Sequence, residues 1–360
     1  MKLYSLFVKA ATAALEFQAE NGSLPAGNNG PYLDSETPVR NTSHWLITFL
    51  KAYQISEEDK FLNAAKNCIA YLHSQTSRPM NATFWHRKNP KKDFSNGLMG
   101  QAWTMEALLY AHEVLKDEKS LNLAIEVFKL HPYDKKLSAW KTVNVDGSIR
   151  GFDTTFNHQL WFAAIGAKLS KYGDKSIQES TSHFINHIEN NMDIYPDGVI
   201  KHSPIFYQKA GTKSRLRAKI KELRTPKAQK EKLYSKSVGY HGFNLYALGL
   251  IKDTYPELGF FNSQKFLAMM KVVNTEDFHK KLEDSIYGFP YNPPGIELAF
   301  AQQQFGEKSK IPGLLSKQFE KSFDTAKSTL NKANPYDLNT AAARFYELYS
   351  LDDIDFEFNG

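Results

Sequence analysis

The chain of 360 residues has a single cysteine, Cys68. That excludes an internal disulfide framework and any zinc site built on cysteines. The thiol sits in an apolar helical stretch with Phe61, Leu62, Ala65, Ile69 and Leu72, the setting of a buried structural cysteine and not of a nucleophile. Long apolar runs are also missing, and none approaches the roughly 20 residues that span a bilayer. The first residues are briefly apolar, but Lys9 interrupts them, and Glu16 and Glu20 continue a helical pattern where a cleavage site would stand. The expectation is a cytoplasmic protein. Strand signals are scarce, and only residues 194–202, around Pro196-Asp197-Gly198, predict a small hairpin. No linker rich in proline, glycine and serine divides the chain, so residues 1–360 are expected to form one domain.

Charge is plentiful but unevenly placed. Between Lys209 and Lys236 stand eleven basic residues against two acids, Glu222 and Glu231. This local excess of +9 leaves the rest of the chain at −3 within a net charge of +6. The protein therefore reads as mildly acidic with one basic insertion, at about residues 205–237. The insertion is either a solvated lysine-rich segment or a surface that attracts a polyanion. No base-reading motif accompanies the charge, so nucleic acid is not the expected partner.

What the sequence has in abundance is helical periodicity. Six times a polar and aromatic knot opens a helix that is apolar almost all the way round. The openings are Asn41-Thr42-Ser43-His44-Trp45, Asn96-Gly97-Leu98-Met99-Gly100-Gln101, Phe156-Asn157-His158-Gln159-Leu160-Trp161, Tyr240-His241-Gly242-Phe243-Asn244, Pro294-Gly295-Ile296-Glu297 and Tyr336-Asp337-Leu338-Asn339-Thr340. A helix without a wet face lies inside a larger helical assembly. Amphipathic helices alternate with these, over about 3–15, 56–73, 118–130, 175–190, 263–273 and 314–330. Six buried and six covering helices in alternation predict an all-α (α/α)6 toroid, with the small hairpin and the basic insertion added. An α-solenoid would keep its repeat length tighter than these mixed loops do. In a toroid the polar openings all face one end of the ring, where a cavity floor would lie.

The candidate functional residues are the polar members of those openings. Asp153, three residues before Phe156, and His158 are a candidate acid/base pair, and the bland alternative makes Asp153 a helix cap and His158 a core histidine. His44 and His241 stand in opening turns as well, and the convergence of three histidines favours a shared site. Arg40 at a helix entrance either clamps a substrate carboxylate or pairs with Glu36 or Asp34. Glu297 and Asp337 are candidates for a second carboxylate, since glycoside hydrolysis uses two across a cavity; the bland alternative has either acid serve the helix dipole alone. Asn96, Gln101, Tyr240, Asn244, Trp85 and Tyr291 complete the candidate substrate-binding set. No metal ligand set or cofactor motif is present, and none is expected.

Asn96-Gly97-Leu98-Met99-Gly100-Gln101-Ala102-Trp103 and Gly239-Tyr240-His241-Gly242-Phe243-Asn244-Leu245, within this helix plan, resemble a group of toroid carbohydrate enzymes. The group comprises unsaturated glucuronyl hydrolases, N-acylglucosamine 2-epimerases, the helical domain of glucuronyl C5-epimerases and toroid polysaccharide lyases. The paired aspartates of the glucuronyl hydrolases have no counterpart here, so no catalytic role carries over residue by residue. The resemblance implies a carbohydrate-active enzyme on an acidic or amino-sugar saccharide. Cleavage of a glycosidic linkage, by hydrolysis or elimination, is the leading expectation. The alternatives are an epimerase or isomerase using paired histidines and a non-catalytic glycan- or protein-binding scaffold.

Overall fold

Helix α4 (Gly97–Leu115) is buried without a break from Gly97 through Leu109. In the computed structural model, which describes residues 1–204, 224–334 and 337–358, four other helices share this character. In α2 (Val39–Ser56) the buried run extends from Val39 through Leu50. In α6 (Phe156–Leu169) only His158 and Lys168 escape full burial. Helix α10 (His241–Lys252) is buried through Ile251, and α13 (Pro294–Phe305) through Gln302. The sixth member starts as α15 (Leu338–Ala343) and continues as a 3-10 segment, Arg344–Ser350. These six pack in sequence order, α2 on α4, α4 on α6, α6 on α10, α10 on α13 and α13 on the 3-10 segment, which returns to α2. The ring is closed and the fold is the (α/α)6 toroid expected from the alternation.

The outer layer is amphipathic. Helix α1 (Leu3–Ala14) turns Leu3, Leu6, Phe7, Ala10, Ala11 and Ala14 inward, a stripe at helical spacing. Helices α3 (Asp59–Leu72), α5 (Glu118–Lys129), α7 (Lys175–Asn186) and α14 (Ile311–Ser322) do likewise, and the fifth outer position is filled by two short helices, α11 (Gln264–Val272) and α12 (Glu276–Asp284). Asp117, Asp174, Ser263 and Thr275 cap their helices through side-chain oxygens that accept backbone amides. A single turn, α8 (Ile188–Asn191), follows α7, and α9 (Lys227–Gly239) precedes α10. No helix among the described residues is long and apolar enough to cross a membrane.

Some expectations need correction. Residues 194–202 form the small hairpin in minimal form, a turn closed by the single antiparallel bridge Ile194–Ile200, but they are not the main sheet. The sheet lies elsewhere: β1 (Tyr133–Asp134), β2 (Ala139–Val143) and β3 (Ile149–Phe152) form an antiparallel meander ahead of α6. Helix α14 ends at Ser322, where a turn with the Asp324–Thr329 bridge begins. Of the basic insertion, residues 205–223 lie outside the described residues, and the rest leads into and forms most of α9.

The same device ties two of these loops to the ring. On α4, the Gln101 amide donates to the carbonyls of Phe84 (3.1 Å) and Ser95 (2.8 Å) and accepts from the Phe84 N–H (2.8 Å). On α6, Gln159 repeats it, donating to Trp140 (2.9 Å) and Asp153 (3.2 Å) carbonyls and accepting from the Trp140 N–H (2.9 Å). Each amide supplies the pairing that a neighbouring strand would supply. Gln159→Leu leaves buried backbone groups of Trp140 and Asp153 without partners, at about 1–3 kcal/mol for each unsatisfied group. Chemical denaturation of Gln159→Leu should show a loss of at least about 2 kcal/mol; an unchanged midpoint would remove the amide from this role.

Candidate functional site

At the end of the ring where the inner helices begin lies a cleft of about 200 Å³. Tyr32, Asn96, Trp103, Asn157, Tyr240 and Tyr291 line it, together with two imidazoles, His158 and His202, and four cations, Arg87, Lys92, Lys236 and Arg344. Among the described residues, no carboxylate lines it.

Behind this wall the carboxylates organise the imidazoles and cations. Asp153 Oδ2 lies 2.8 Å from His158 Nδ1 and accepts the Leu98 N–H at 3.1 Å, while Oδ1 accepts the Thr155 N–H at 3.1 Å. Burial pushes the Asp153 carboxyl up, but His158 and the two amides outweigh it and hold the group below the usual carboxylate range. Its side chain is 6% exposed and that of His158 23%, so the imidazole, not the acid, is presented to the cleft. With Nδ1 engaged, Nε2 is the nitrogen left to meet a ligand. The approach of Asp153 to the start of α4 requires the glycine there. Gly97 has φ +58°, and a Cβ on it would stand 2.4 Å from Asp153 Oδ2.

His202 comes from the segment preceding the basic insertion. Its ring lies 4.9 Å from that of Tyr240, and its Nδ1 has no partner among the described residues. Burial, then Lys236 and then His158, push its pKa well down, so it stands as a neutral imidazole. Both imidazoles line the same cleft.

Three of the four cations are matched by acids set back from the cleft. Arg87 Nη2 meets Asp93 at 2.7 Å, and Lys92 meets Asp34 at 3.1 Å. Arg344 meets Glu297 at 2.9 Å and Glu347 at 2.6 Å. Burial pushes both of those glutamates up against the pull of the guanidinium. The fourth, Lys236 on α9, has no carboxylate within ion-pair distance among the described residues, and its ammonium lies over the rings of Tyr32, Tyr240 and Tyr287 at 5.1, 5.8 and 5.6 Å.

Of the residues singled out in the sequence, His158, Asn96, Tyr240 and Tyr291 reach the cleft, and Asp153 stands directly behind it. The others do not line it. His241 accepts the Ile200 N–H at 3.1 Å and has Nε2 3.0 Å from the Met269 carbonyl, so the backbone holds both ring nitrogens. His44 is buried between Tyr346, stacked at 4.1 Å, and Trp103. Arg40 takes the pairing alternative: it meets Glu36 at 3.3 Å and Asn29 at 3.0 Å, with Trp103 beneath its guanidinium at 4.2 Å. Glu297 is buried beneath Arg344, and Asp337 accepts the amides of Asn28, Gly30 and Thr340 as a loop tie and helix cap. Gln101 and Asn244 bond to backbone. Trp85 borders a separate surface hollow with Met80 and Phe94. Arg344, His202, Lys236 and Lys92 were not foreseen as cleft residues.

No protein-family model matches this chain. Solved structures share its fold. Cellobiose 2-epimerase from Spirochaeta thermophila DSM 6192 superposes with a TM-score of 0.64 at 13% identity, over 96% of this chain and 97% of that one. The GH76A α-1,6-mannanase of Salegentibacter sp. HEL1_6 gives 0.57 at 10% identity, over 96% and 98%. Identities this low establish the toroid and nothing finer. Much nearer in sequence is archaeal glycosylation protein Q of Haloferax volcanii, 38% identical over 365 residues and covering 98% of each protein. Identity of that degree along the whole ring, loops included, makes this chain a member of the archaeal glycosylation protein Q family.

Proposed function

We propose that this protein is a carbohydrate-active enzyme that moves a carbon-bound proton on an acidic sugar, as an epimerase or isomerase does. The observation that carries the reading is the composition of the cleft wall: among the described residues, two imidazoles and four cations line it and no carboxylate does. Hydrolysis by an acid and a second carboxylate needs both groups at the scissile bond. Here Asp153 is spent on His158 and two amides, Glu297 on Arg344, and Asp337 on a loop and a helix end. The family relative's name ties that protein to archaeal glycosylation, which agrees with a sugar substrate for this one.

In this reading His158 Nε2 exchanges a proton with the substrate while Asp153 fixes the tautomer and stabilises the imidazolium that forms, the division of labour of a histidine–carboxylate dyad. His202, neutral, takes or returns a proton on the other face of the sugar. The cations neutralise the charge that develops next to a substrate carboxylate when the adjacent C–H bond breaks. Abstraction of that proton is also the first step of β-elimination, so a lyase outcome shares the same residues and differs in the fate of the intermediate. Hydrolysis does not share the step.

Incubation with charged mono- and oligosaccharides in heavy water tests this directly. Epimerisation or isomerisation should place solvent deuterium on a ring or chain carbon of the product, read by mass and NMR. Clean cleavage with no carbon-bound deuterium would refute the reading. His158→Gln should reduce turnover by about 10²-fold or more, the usual scale for a lost acid/base group. Asp153→Asn, which presents the wrong tautomer, should reduce it at least tenfold. Gly97→Ala pushes a methyl into the Asp153–His158 contact and should lower kcat while substrate affinity changes little; full activity in all three variants would remove the dyad from the chemistry.

A further inference from the structure

We propose that Lys236 is the residue that receives the substrate's anionic group, making the cleft selective for sugars that carry a carboxylate or phosphoryl oxyanion over neutral ones. This rests on the reading of the cleft as a sugar site and adds to it the residue that chooses the substrate class.

The argument is one of charge balance. Arg87, Lys92 and Arg344 each enter the cleft with an acid already beside them, so an arriving anion competes with a bound one. Lys236 has no such partner among the described residues. Its ammonium is instead held against three tyrosine faces, and Tyr32 and Tyr240 are locked to each other by a 2.8 Å hydrogen bond between their hydroxyls. Ring faces stabilise a cation only in part. A half-buried ammonium without a counter-ion lacks charge compensation that a substrate oxyanion can supply.

The pKa of Lys236 follows from the same surroundings. Burial, and secondarily Lys232 on the same helix, push its pKa down to about 8. The other groups facing it are Tyr32, Tyr240 and Tyr287, whose pKa values burial raises, and His202, which burial and Lys236 itself keep neutral. None of these gains or loses a proton between pH 7 and 9. The sign follows: below about pH 8 the ammonium is charged and attracts the oxyanion, and above it the free protein loses the charge, so affinity falls as pH rises.

Calorimetric titration of the full-length protein with glucose, glucuronate and glucose 6-phosphate at pH 7 and pH 9 tests the proposal, the two acids distinguishing a carboxylate from a phosphoryl preference. At least one acid should bind at least about tenfold more tightly than glucose at pH 7, and that acid should weaken about tenfold by pH 9 while glucose does not. Lys236→Met should abolish the preference, and Lys236→Arg, whose charge persists at pH 9, should keep it at both pH values. A preference that survives in Lys236→Met, or that stays undiminished at pH 9 in the unsubstituted protein, overturns the proposal. Equal binding of all three sugars overturns it and leaves the proton-transfer reading standing. Absence of binding by any of them counts against both.

Discussion

A closed ring of helices has no wet side, and this constraint governs the rest of the molecule. Once the 3-10 segment Arg344–Ser350 returns to α2, each inner helix is enclosed by two ring neighbours and an outer helix. Most polar side chains it carries then pair within the ring or face the cleft at the helix starts, while His44, packed between Tyr346 and Trp103, does neither. Gln101 and Gln159 bind backbone, Arg40 binds Glu36, and Arg344 binds two glutamates. What the open end presents, among the described residues, is His158 oriented by Asp153, His202 with Nδ1 unpartnered, and Lys236 with no carboxylate beside it. The chemistry of the cleft is the residue of that accounting.

Burial sets the character of each group. The Asp153 carboxylate stays ionised in a buried place because three donors converge on it, and its charge is delivered to the cleft as an oriented imidazole. His241, equally buried, is silenced by two backbone partners and by a pKa lowered to about 4 through burial. The two histidines have the same intrinsic chemistry, and only their neighbours separate them.

The toroid was legible because full burial writes itself into sequence as helices without a polar face, from Gly97 to Leu109 most plainly. The Asp153–His158 pair was legible because both partners lie within one helix entrance. The choice among the three opening-turn histidines was not. His241 is the first residue of its helix, His158 the third and His44 the sixth, and each step of one residue turns a side chain by about 100°. Only the third position looks into the cleft. Arg344 was hidden in a segment rich in alanine and aromatics, where one arginine reads as a solvated face. His202 stands just before the basic insertion and Lys236 is its last basic residue, and no local pattern announces that both return to the helix starts. The β1–β3 meander escaped because its outer strand, Ile149–Phe152, is largely exposed and lacks the alternation that marks a half-buried strand.

The central claim is that one sugar residue lies between His158 and His202 at the mouth of the ring. A crystal structure of the protein with an acidic sugar bound tests it most directly. The account predicts a ring or chain carbon within hydrogen-bond reach of His158 Nε2 on one face, with His202 on the other. A sugar seated in the hollow beside Trp85, with the two imidazoles untouched, would contradict it.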